Sequence, residues 1–215
     1  MTNKNHYVSV KEMCKIDQAA VRSGIPIELM MENAGKALAF HIKNKFKGTS
    51  RKTILCVAGK GNNGGGVIAS VRHLVFHGFK VSLLLLYQKR EMTKPSRFHL
   101  ATLGKNAKII QYDTKYRKKI LSTIGHFDVI IDGIFGTGFS GSVNEPIFSI
   151  IESIIKSKAY VVSNDIPSGI NADTGNVGTI CVNADHIVVL HKPKTWMRIW
   201  DLPTSRYSIE SIGIP

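Results

Sequence analysis

The sequence predicts an α/β fold with an open, mostly parallel sheet and helices on both of its faces. Short apolar runs typical of buried strands alternate with segments of helical periodicity along the chain. Three predicted strands also run directly into loops of glycine and oxygen-bearing side chains, at residues 59–66, 132–142 and 164–169. Because ligands of such sheets bind beyond the carboxyl ends of the strands, we expect these loops to form one site.

The chain begins with two predicted helices. A capping box at residues 9–12 starts a helix that runs to about Ser23, where Gly24 ends it. Pro26 starts the second helix, which contains Gly35 within its apolar stripe. A glycine inside a helix costs roughly 1 kcal/mol relative to alanine. We therefore expect Gly35 to permit the close approach of another helix or strand.

A predicted strand, glycine loop and helix follow at residues 53–58, 59–66 and 67–74. A helix that follows such a loop directs free N–H groups and the positive end of its dipole at the loop, which favours an anionic or oxygen-rich ligand. The adjacent amides of Asn62 and Asn63 add hydrogen-bond donors and acceptors. The alternative is that the glycines serve only the steric needs of a tight turn.

The remaining chain continues the alternation without a repeat or linker, so residues 1–215 are predicted to form one domain. Strands are predicted at residues 79–87, 108–111, 127–135, 159–163 and 185–190, with an edge strand among the last residues. Helices are predicted at residues 94–103, 115–124 and 146–156.

The composition favours a cytoplasmic protein with a basic surface. The formal net charge of +14 suits polyanionic partners, but lysines scattered over a solvated surface account for most of it. No aromatic residues are interleaved with them as in a stacking platform, so nucleic acid is not the expected partner. No apolar run is long enough to cross a bilayer. The first six residues are not followed by an apolar segment like the core of a signal peptide, so no signal peptide is expected. The three cysteines have no paired spacing and are expected to be reduced, mostly buried thiols.

Two aspartates stand at the ends of predicted strands. A partly desolvated carboxylate such as Asp165 can act as a general acid or base, although capping a turn or helix explains it equally well. Asp132 needs a cation, a lysine or several backbone donors as partners. Together with Asn63 and Ser168 it makes an all-oxygen set that suits a hard cation, either monovalent or magnesium. Lys60 can meet a phosphate, but no Ser or Thr follows it as in a Walker A motif.

Several motifs resemble those of one family, occur in its order and cover nearly the whole chain. They are Met31-Glu-Asn-Ala-Gly35, Gly59-Lys-Gly-Asn-Asn-Gly-Gly65, Arg72-His-Leu74, Asp132-Gly-Ile-Phe-Gly-Thr-Gly138, Asp165-Ile-Pro-Ser-Gly169, Ala172-Asp-Thr-Gly175, Pro193-Lys194 and Ile212-Gly-Ile-Pro215. The sequence resembles the NAD(P)H-hydrate epimerases, also called the YjeF N-terminal domain family. The fused dehydratase domain found in some members of this family is expected to be absent.

The resemblance implies a Rossmann-like three-layer α/β/α sandwich, commonly a homodimer. It implies interconversion of the R and S forms of hydrated NADH or NADPH (NADHX and NADPHX) at C6, so that a separate dehydratase can restore the cofactor. Asp165 would transfer the proton, and Asn63, Asp132 and Ser168 would hold K⁺. The residues that would line the substrate are Asn62, Asn63, Gly64, Gly65, Gly66, Gly136, Thr137, Gly138, Phe139, Ser140, Gly141, Ser142 and Asp165.

The sequence departs from the family pattern at two places. Gly66 and Val67 stand where the family usually has Asp and Gly, and the usual Arg and Pro near Gly141 and Ser142 are missing. The departures keep two alternatives open, a catalytically impaired domain that acts as a nucleotide- or RNA-binding scaffold and an enzyme for another nucleotide-like molecule. A large gain of epimerase activity on Gly66→Asp would identify an impaired epimerase.

Overall fold

The computed structural model describes residues 7–48, 52–105 and 107–215, and its centre is a seven-stranded parallel sheet. The strands lie in the order β3-β2-β1-β4-β5-β6-β7. They are β1 (Thr53–Ala58), β2 (Lys80–Leu85), β3 (Lys108–Gln111), β4 (Val129–Gly133), β5 (Tyr160–Asn164), β6 (His186–Leu190) and β7 (Tyr207–Glu210). The predicted α/β class, the three-layer Rossmann-like architecture and the late edge strand are confirmed.

The order of the strands reverses beside β1. Strand β1 pairs on one side with β2 and on the other with β4, both in parallel. Along the chain the sheet therefore grows first from β1 to β3 in one direction and then from β4 to β7 in the other. The connections after β1 and β4 diverge at this point and leave a crevice at the carboxyl edge, which is where such sheets bind ligands.

Helices cover both faces of the sheet. They are α1 (Val10–Arg22), α2 (Ile27–Lys45), α3 (Asn62–Phe76), α4 (Lys94–Ala101), α5 (Arg117–Ile124), α6 (Ile147–Lys156) and α7 (Thr195–Ile199). The capping box that was predicted at the start of α1 is present, since Ser9 and Glu12 exchange hydrogen bonds. The helix predicted at 115–124 instead begins with a 3₁₀ turn at Thr114–Tyr116, which Asp113 caps.

Alternate side chains of the central strands face two separate cores. In β1, Ile54, Cys56 and Ala58 pack with helices α2 and α3, whereas Leu55 and Val57 pack on the face that α5 and α6 cover. This two-sided burial explains why the strands are continuous apolar runs rather than alternating ones. Strands predicted at 79–87 and 127–135 are shorter than expected because their last apolar residues belong to the site loops.

Gly35 lies where helices α2 and α3 approach most closely. A Cβ atom there would lie 2.6 Å from the backbone nitrogen of Ser70 and 2.7 Å from Cβ of Ala69. The expectation that this glycine permits close helix approach is therefore confirmed, and the contact fixes α3 against α2. The start of α3 is positioned at the crevice as a result.

The remaining expectations from composition have mixed outcomes. Cys56 is buried and Cys181 half-buried, but Cys14 is exposed, so the thiols are not mostly buried. Cys14 belongs to the amphipathic helix α1, which turns this position away from the core. Within the described ranges, the helices are too short or too polar to cross a membrane. The expectation of no signal peptide falls on residues 1–6, which lie outside the described part.

Candidate active site

A cavity of about 730 Å³ opens at the carboxyl edge of the sheet, where β1, β4, β5 and β6 end. Residues from all three predicted loops border it, together with parts of α1 and α2. The predicted substrate-lining residues that border it are Asn62, Asn63, Gly66, Gly136, Thr137, Gly138, Phe139, Ser140, Ser142 and Asp165. The structure thus brings oxygen-rich segments from distant parts of the sequence together around one space.

The glycine segment after β1 is mostly helical rather than a loop. Helix α3 begins at Asn62, with Gly61 as its N-cap, so the prediction of a helix only from residue 67 was wrong. Glycine lowers helix propensity, but here the absence of side chains allows the first turn to pack against its surroundings. The first two residues of that turn, Asn62 and Asn63, border the cavity, which keeps the expected preference of a helix N-terminus for an anionic or oxygen-rich ligand.

Gly64 and Gly65 serve packing and do not border the cavity. A Cβ atom at Gly64 would lie 2.2 Å from the carbonyl oxygen of Gly59. At Gly65 it would lie 2.6 Å from Sδ of Met31 and 2.7 Å from Oγ of Ser96. At these two positions glycine therefore meets the steric needs of close packing, which was the alternative stated for the glycine loop.

The loop after β4 forms another wall of the cavity. Phe139 stacks on Phe135 with ring centroids 4.9 Å apart, which gives this wall an aromatic surface. A Cβ atom at Gly136 would lie 2.9 Å from Cβ of Asn63, so this glycine lets the loop approach α3. Gly141, with a φ of +84°, turns the chain and does not border the cavity.

Asp165 lies directly after β5 and borders the cavity, with 8 % of its surface exposed. Its φ of +63° is in the left-handed region, which Asp tolerates better than most residues. Its Oδ1 atom accepts hydrogen bonds from the backbone N–H of Leu190, at 2.9 Å, and from the Lys194 ammonium. Its Oδ2 atom accepts no hydrogen bond from any residue in the described ranges. One carboxylate oxygen is therefore held and the other is free for a ligand.

Lys194 is fully buried and orders this carboxylate. Its Nζ atom also donates to the carbonyl oxygen of Leu190 at 2.9 Å, so two partners fix the ammonium. Asp17, from α1, borders the same cavity. Burial raises the pKa of Asp17 above its usual value of 3.8, the Lys194 ammonium opposes the increase and the Asp165 carboxylate adds to it. The cation and two carboxylates therefore form one coupled group on this wall.

Asp132 plays a different part, because it is fully buried and does not border the cavity. Its Oδ1 atom accepts hydrogen bonds from Ile134 N at 3.1 Å and Ser168 Oγ at 2.5 Å. Its Oδ2 atom accepts from Ser163 Oγ and Ser168 N, both at 2.9 Å. Burial raises the pKa of Asp132 above 3.8, and these hydrogen bonds oppose the increase. The carboxylate thereby ties the ends of β4 and β5 to the loop that carries Ser168.

The three residues predicted to hold a cation meet around the backbone of Phe135. Asn63 Nδ2 donates to the Phe135 carbonyl oxygen at 2.5 Å, and Ser168 Oγ lies 3.4 Å from the same oxygen. Ser168 Oγ also accepts from Phe135 N at 2.8 Å and donates to Asp132. The predicted set is therefore contiguous.

The chemistry of this set fits a monovalent hard cation. Its members offer amide, carbonyl, hydroxyl and carboxylate oxygens, which suit K⁺ better than a soft or transition metal. In the described ranges no group of three His, Cys, Asp or Glu residues could hold a metal, and only one carboxylate is present in this set. To act as a ligand, Asn63 would have to present its amide oxygen, whereas here its Nδ2 atom faces the Phe135 carbonyl oxygen.

Residues that were not predicted to line the substrate also border the cavity, among them Asp17, Lys60, Asn164 and Lys194. Lys60 was expected only as a phosphate contact, and its Nζ atom lies 5.1 Å from the centre of the Tyr87 ring. Lys194 was visible as part of the Pro193-Lys194 motif, but its pairing with Asp165 depends on the contact between β5 and the end of β6. Asp17 carries no local signal in the sequence, and Asn164 was marked only as the first residue of the predicted loop at 164–169.

The fold and site define an open parallel α/β/α sandwich whose ligand cavity lies at the reversal of strand order. The family model described as YjeF-related protein N-terminus matches residues 27–196. The chain belongs to this family.

Curated relatives carry names that agree with this assignment. The chain is 34 % identical to the NAD(P)H-hydrate epimerase of Cenarchaeum symbiosum, over 97 % of this chain and 95 % of the relative. It is 32 % identical to the NAD(P)H-hydrate epimerase of Nitrosopumilus maritimus, with 97 % and 95 % covered. It is also 35 % identical to the bifunctional NAD(P)H-hydrate repair enzyme Nnr of Methanothermobacter thermautotrophicus, over 95 % of this chain but only 40 % of that protein.

A solved structure supports the fold. The crystal structure of the yeast protein ynu0 (YNL200c) superposes with a TM-score of 0.82 and covers 96 % of this chain and 88 % of that one. The sequence identity is 24 %, so this likeness concerns the architecture alone.

Proposed function

We propose that the protein is an NAD(P)H-hydrate epimerase that interconverts the R and S forms of NADHX and NADPHX at C6. The proposal rests on the family and on one observation, which is that Asp165 keeps one carboxylate oxygen free beside a cavity of about 730 Å³. A cavity of this size suits a dinucleotide that lies partly across the edge of the sheet. The two named epimerases are similar over nearly their whole length.

In the proposed reaction, Asp165 acts as general acid and then as general base. A proton moves from Oδ2 to the C6 hydroxyl, which leaves as water while the ring nitrogen supplies its electron pair and forms an iminium. Water then adds to C6 from the other face and returns a proton to the carboxylate. The atoms balance, because one water leaves and one enters. Leu190 N–H and the Lys194 ammonium hold Oδ1, so that Oδ2 keeps a fixed direction.

The substrate's pyrophosphate would be held by the N-terminal turn of α3, where Asn62 and the preceding Lys60 border the cavity. The aromatic wall formed by Phe135 and Phe139 would contact a ring of the substrate. Asp132, Ser168 and the Phe135 carbonyl oxygen would hold K⁺, and Asn63, whose Nδ2 atom donates to that carbonyl oxygen, would orient it; the cation would supply positive charge near the substrate phosphates. We further propose a cytoplasmic homodimer that acts with a separate dehydratase.

The test is the rate at which purified protein interconverts separated (R)- and (S)-NADPHX, followed by chromatography with K⁺ and with Na⁺ as the only monovalent cation. We expect acceleration above the spontaneous rate, and its loss to near that rate in Asp165→Asn. Parallel assays with NADHX establish the preference between the two substrates, and sedimentation establishes the oligomeric state. Wild-type protein that never exceeds the spontaneous rate would refute the proposal.

A matched control is Asp201→Asn. Asp201 also has a positive φ, of +44°, but it is exposed and does not border the cavity. The same change of carboxylate to amide at this position should leave epimerisation at the wild-type rate. A similar loss in both variants would show that the effect of Asp165→Asn is not specific to the site.

A further inference from the structure

Asn164 is a buried polar residue that the proposed reaction does not use. It is the last residue of β5, directly before Asp165, and it has no solvent-exposed surface. It nevertheless borders the cavity. A fully buried carboxamide beside a ligand cavity must either satisfy its hydrogen bonds within the protein or wait for a ligand to do so.

Hydrogen bonds through the side-chain amide of Asn63 fix the orientation of the Asn164 carboxamide. The Phe135 carbonyl oxygen is only an acceptor, so Asn63 must direct its Nδ2 atom at it, as observed at 2.5 Å. Asn63 Oδ1 then faces Asn164, whose Nδ2 atom donates to it at 2.9 Å and to the Asn63 carbonyl oxygen at 3.1 Å. Reversing Asn164 would place its oxygen against two acceptors. Its Oδ1 atom must therefore point the other way.

The Oδ1 atom of Asn164 has no hydrogen-bond partner among the described residues, although it is buried. Leaving such an acceptor unsatisfied in the protein interior is unfavourable in free energy. A ligand that offers an O–H or N–H group at this position would recover that free energy. Because Asn164 borders the cavity, a small shift of the side chains that cover this atom would let a neutral donor group of the ligand reach it.

The same carboxamide occupies the space in front of Gly66. A Cβ atom at position 66 would lie 2.9 Å from Asn164 Nδ2 and 3.4 Å from Cβ of Ala34. The usual family aspartate at position 66 would therefore compete with Asn164 for one volume. Val67 fills the space beside Gly133, because its Cγ2 atom would lie 2.4 Å from a Cβ atom at that glycine. Val67 is fully buried and does not border the cavity, so it does not narrow the site as its bulk suggested.

We propose that Asn164 is a substrate-contacting, specificity-determining residue that replaces the side chain missing at position 66. This inference rests on the proposed function. Where other members would present a carboxylate, this chain presents a neutral amide oxygen. Such an acceptor suits a ribose hydroxyl, the C6 hydroxyl or the carboxamide N–H of the substrate, and it does not repel the substrate phosphates. Gly66 is then a matched partner of Asn164, and its presence does not impair the enzyme.

The inference reverses the expected outcome of restoring the carboxylate. Gly66→Asp alone would push its Cβ into Asn164, so we expect lower stability and lower activity instead of a gain. Asn164→Ala alone would remove the acceptor and raise KM. The double variant Gly66→Asp/Asn164→Ala frees the shared volume and supplies a new acceptor, so it should exceed both single variants in kcat/KM and exceed Gly66→Asp in stability.

The experiment is a double-mutant cycle with two readouts, epimerisation kinetics with NADPHX and urea unfolding without ligand. A third single variant, Asn164→Leu, should raise KM about tenfold, the value of one hydrogen bond near 1.4 kcal/mol, with a smaller change in kcat. Asn44→Leu is the control for this exchange, since Asn44 is exposed near the other end of α2 and does not border the cavity.

The outcomes separate this inference from the proposed function. Failure of wild-type epimerisation refutes the function. The contact is then judged by calorimetric titration with NADPH, whose affinity Asn164→Leu should reduce about tenfold. Additive effects of Gly66→Asp and Asn164→Ala on unfolding, or an unchanged KM in Asn164→Leu with an active wild type, would overturn the assignment of Asn164.

Discussion

Two aspartates at the ends of neighbouring strands, Asp132 near the end of β4 and Asp165 directly after β5, have opposite environments. Both oxygens of Asp132 accept two hydrogen bonds each, and the side chain is closed off from the cavity. Asp165 holds one oxygen against Leu190 N–H and Lys194 and leaves the other without a partner in the described ranges. The first carboxylate organises the loops, and the second is available to a ligand.

This difference distinguishes a structural carboxylate from a candidate catalytic carboxylate at the edge of a sheet. Both residues come at the end of an apolar run and begin a segment that contains glycine, so their local sequences do not separate the two roles. The distinction comes from partners supplied by other segments, namely Ser163 and Ser168 for one and Lys194 for the other. A buried carboxylate that accepts four hydrogen bonds gains rigidity, whereas one with a free oxygen keeps a reactive group.

The largest expected effect on stability is that of Asp132→Asn. Each oxygen of Asp132 faces one backbone N–H, from Ile134 or from Ser168, so either orientation of an amide sets its NH₂ group against a donor. We expect a loss of about 4 kcal/mol in the free energy of unfolding, because charge-assisted bonds are lost and a buried donor is left unsatisfied. Urea denaturation measures this.

The same exchange at Asp165 serves as the comparison. An amide there retains an oxygen for Leu190 N–H and places its NH₂ group toward the cavity, so stability should fall by less than in Asp132→Asn while epimerisation is lost. Equal losses of stability in the two variants would contradict the proposed division of roles.

The second prediction concerns the buried ion pair between Asp165 and Lys194. Lys194→Met should cost about 3 kcal/mol, because a carboxylate loses its buried counter-charge. Replacing both charges should cost less than the sum of the single changes by about 2 kcal/mol, since the double variant Asp165→Asn/Lys194→Met leaves no unpaired charge. A double-mutant cycle by urea unfolding checks this, and strict additivity would mean that the two groups are not coupled.

The same comparison shows which features of the fold can be predicted from the sequence and which cannot. The alternation of apolar runs and helical segments was sufficient for the sheet, its direction and its layers, because burial on two faces leaves a local signature. The start of α3 was missed because glycine is normally a poor helix former, and only the contacts of Gly64 and Gly65 with neighbouring segments show why a helix tolerates it here.

The site was only partly predictable for a similar reason. Asp165 and the glycine segments could be identified from strand ends, but the pairing with Lys194 joins positions 29 residues apart. Asn164 was included only as the first residue of a predicted site loop, since an asparagine at the end of an apolar strand is ordinary. Its proposed role depends on the space that it fills above Gly66 and on its hydrogen bond to the Asn63 amide, and both appear only once the chain is folded.

A smaller effect is expected for Ser163→Ala, which removes one of the four donors to Asp132. Ser163 is fully buried and its hydroxyl donates to Oδ2 at 2.9 Å. The free energy of unfolding should fall by about 1.5 kcal/mol, the cost of one hydrogen bond to a charged group. Ser122→Ala is the control, because among the described residues its exposed hydroxyl bonds only the Lys119 carbonyl oxygen of its own helix. A loss as large as that of Asp132→Asn would show that Ser163 supports more than this bond.

The smallest effect is a pH dependence that belongs to Asp132 alone. Because burial raises the pKa of Asp132 above 3.8, the folded chain retains a proton where the unfolded chain has lost it. Its contribution to stability is therefore complete below about pH 3.8 and declines as the pH rises through the folded pKa. The stability advantage of wild type over Asp132→Asn should shrink over that interval, and Ser163→Ala should extend the decline to higher pH, because a bond that lowers the pKa is removed. Urea unfolding from pH 4 to pH 7 measures both slopes. An advantage that grows with pH would mean that the hydrogen bonds outweigh burial and keep this carboxylate ionised.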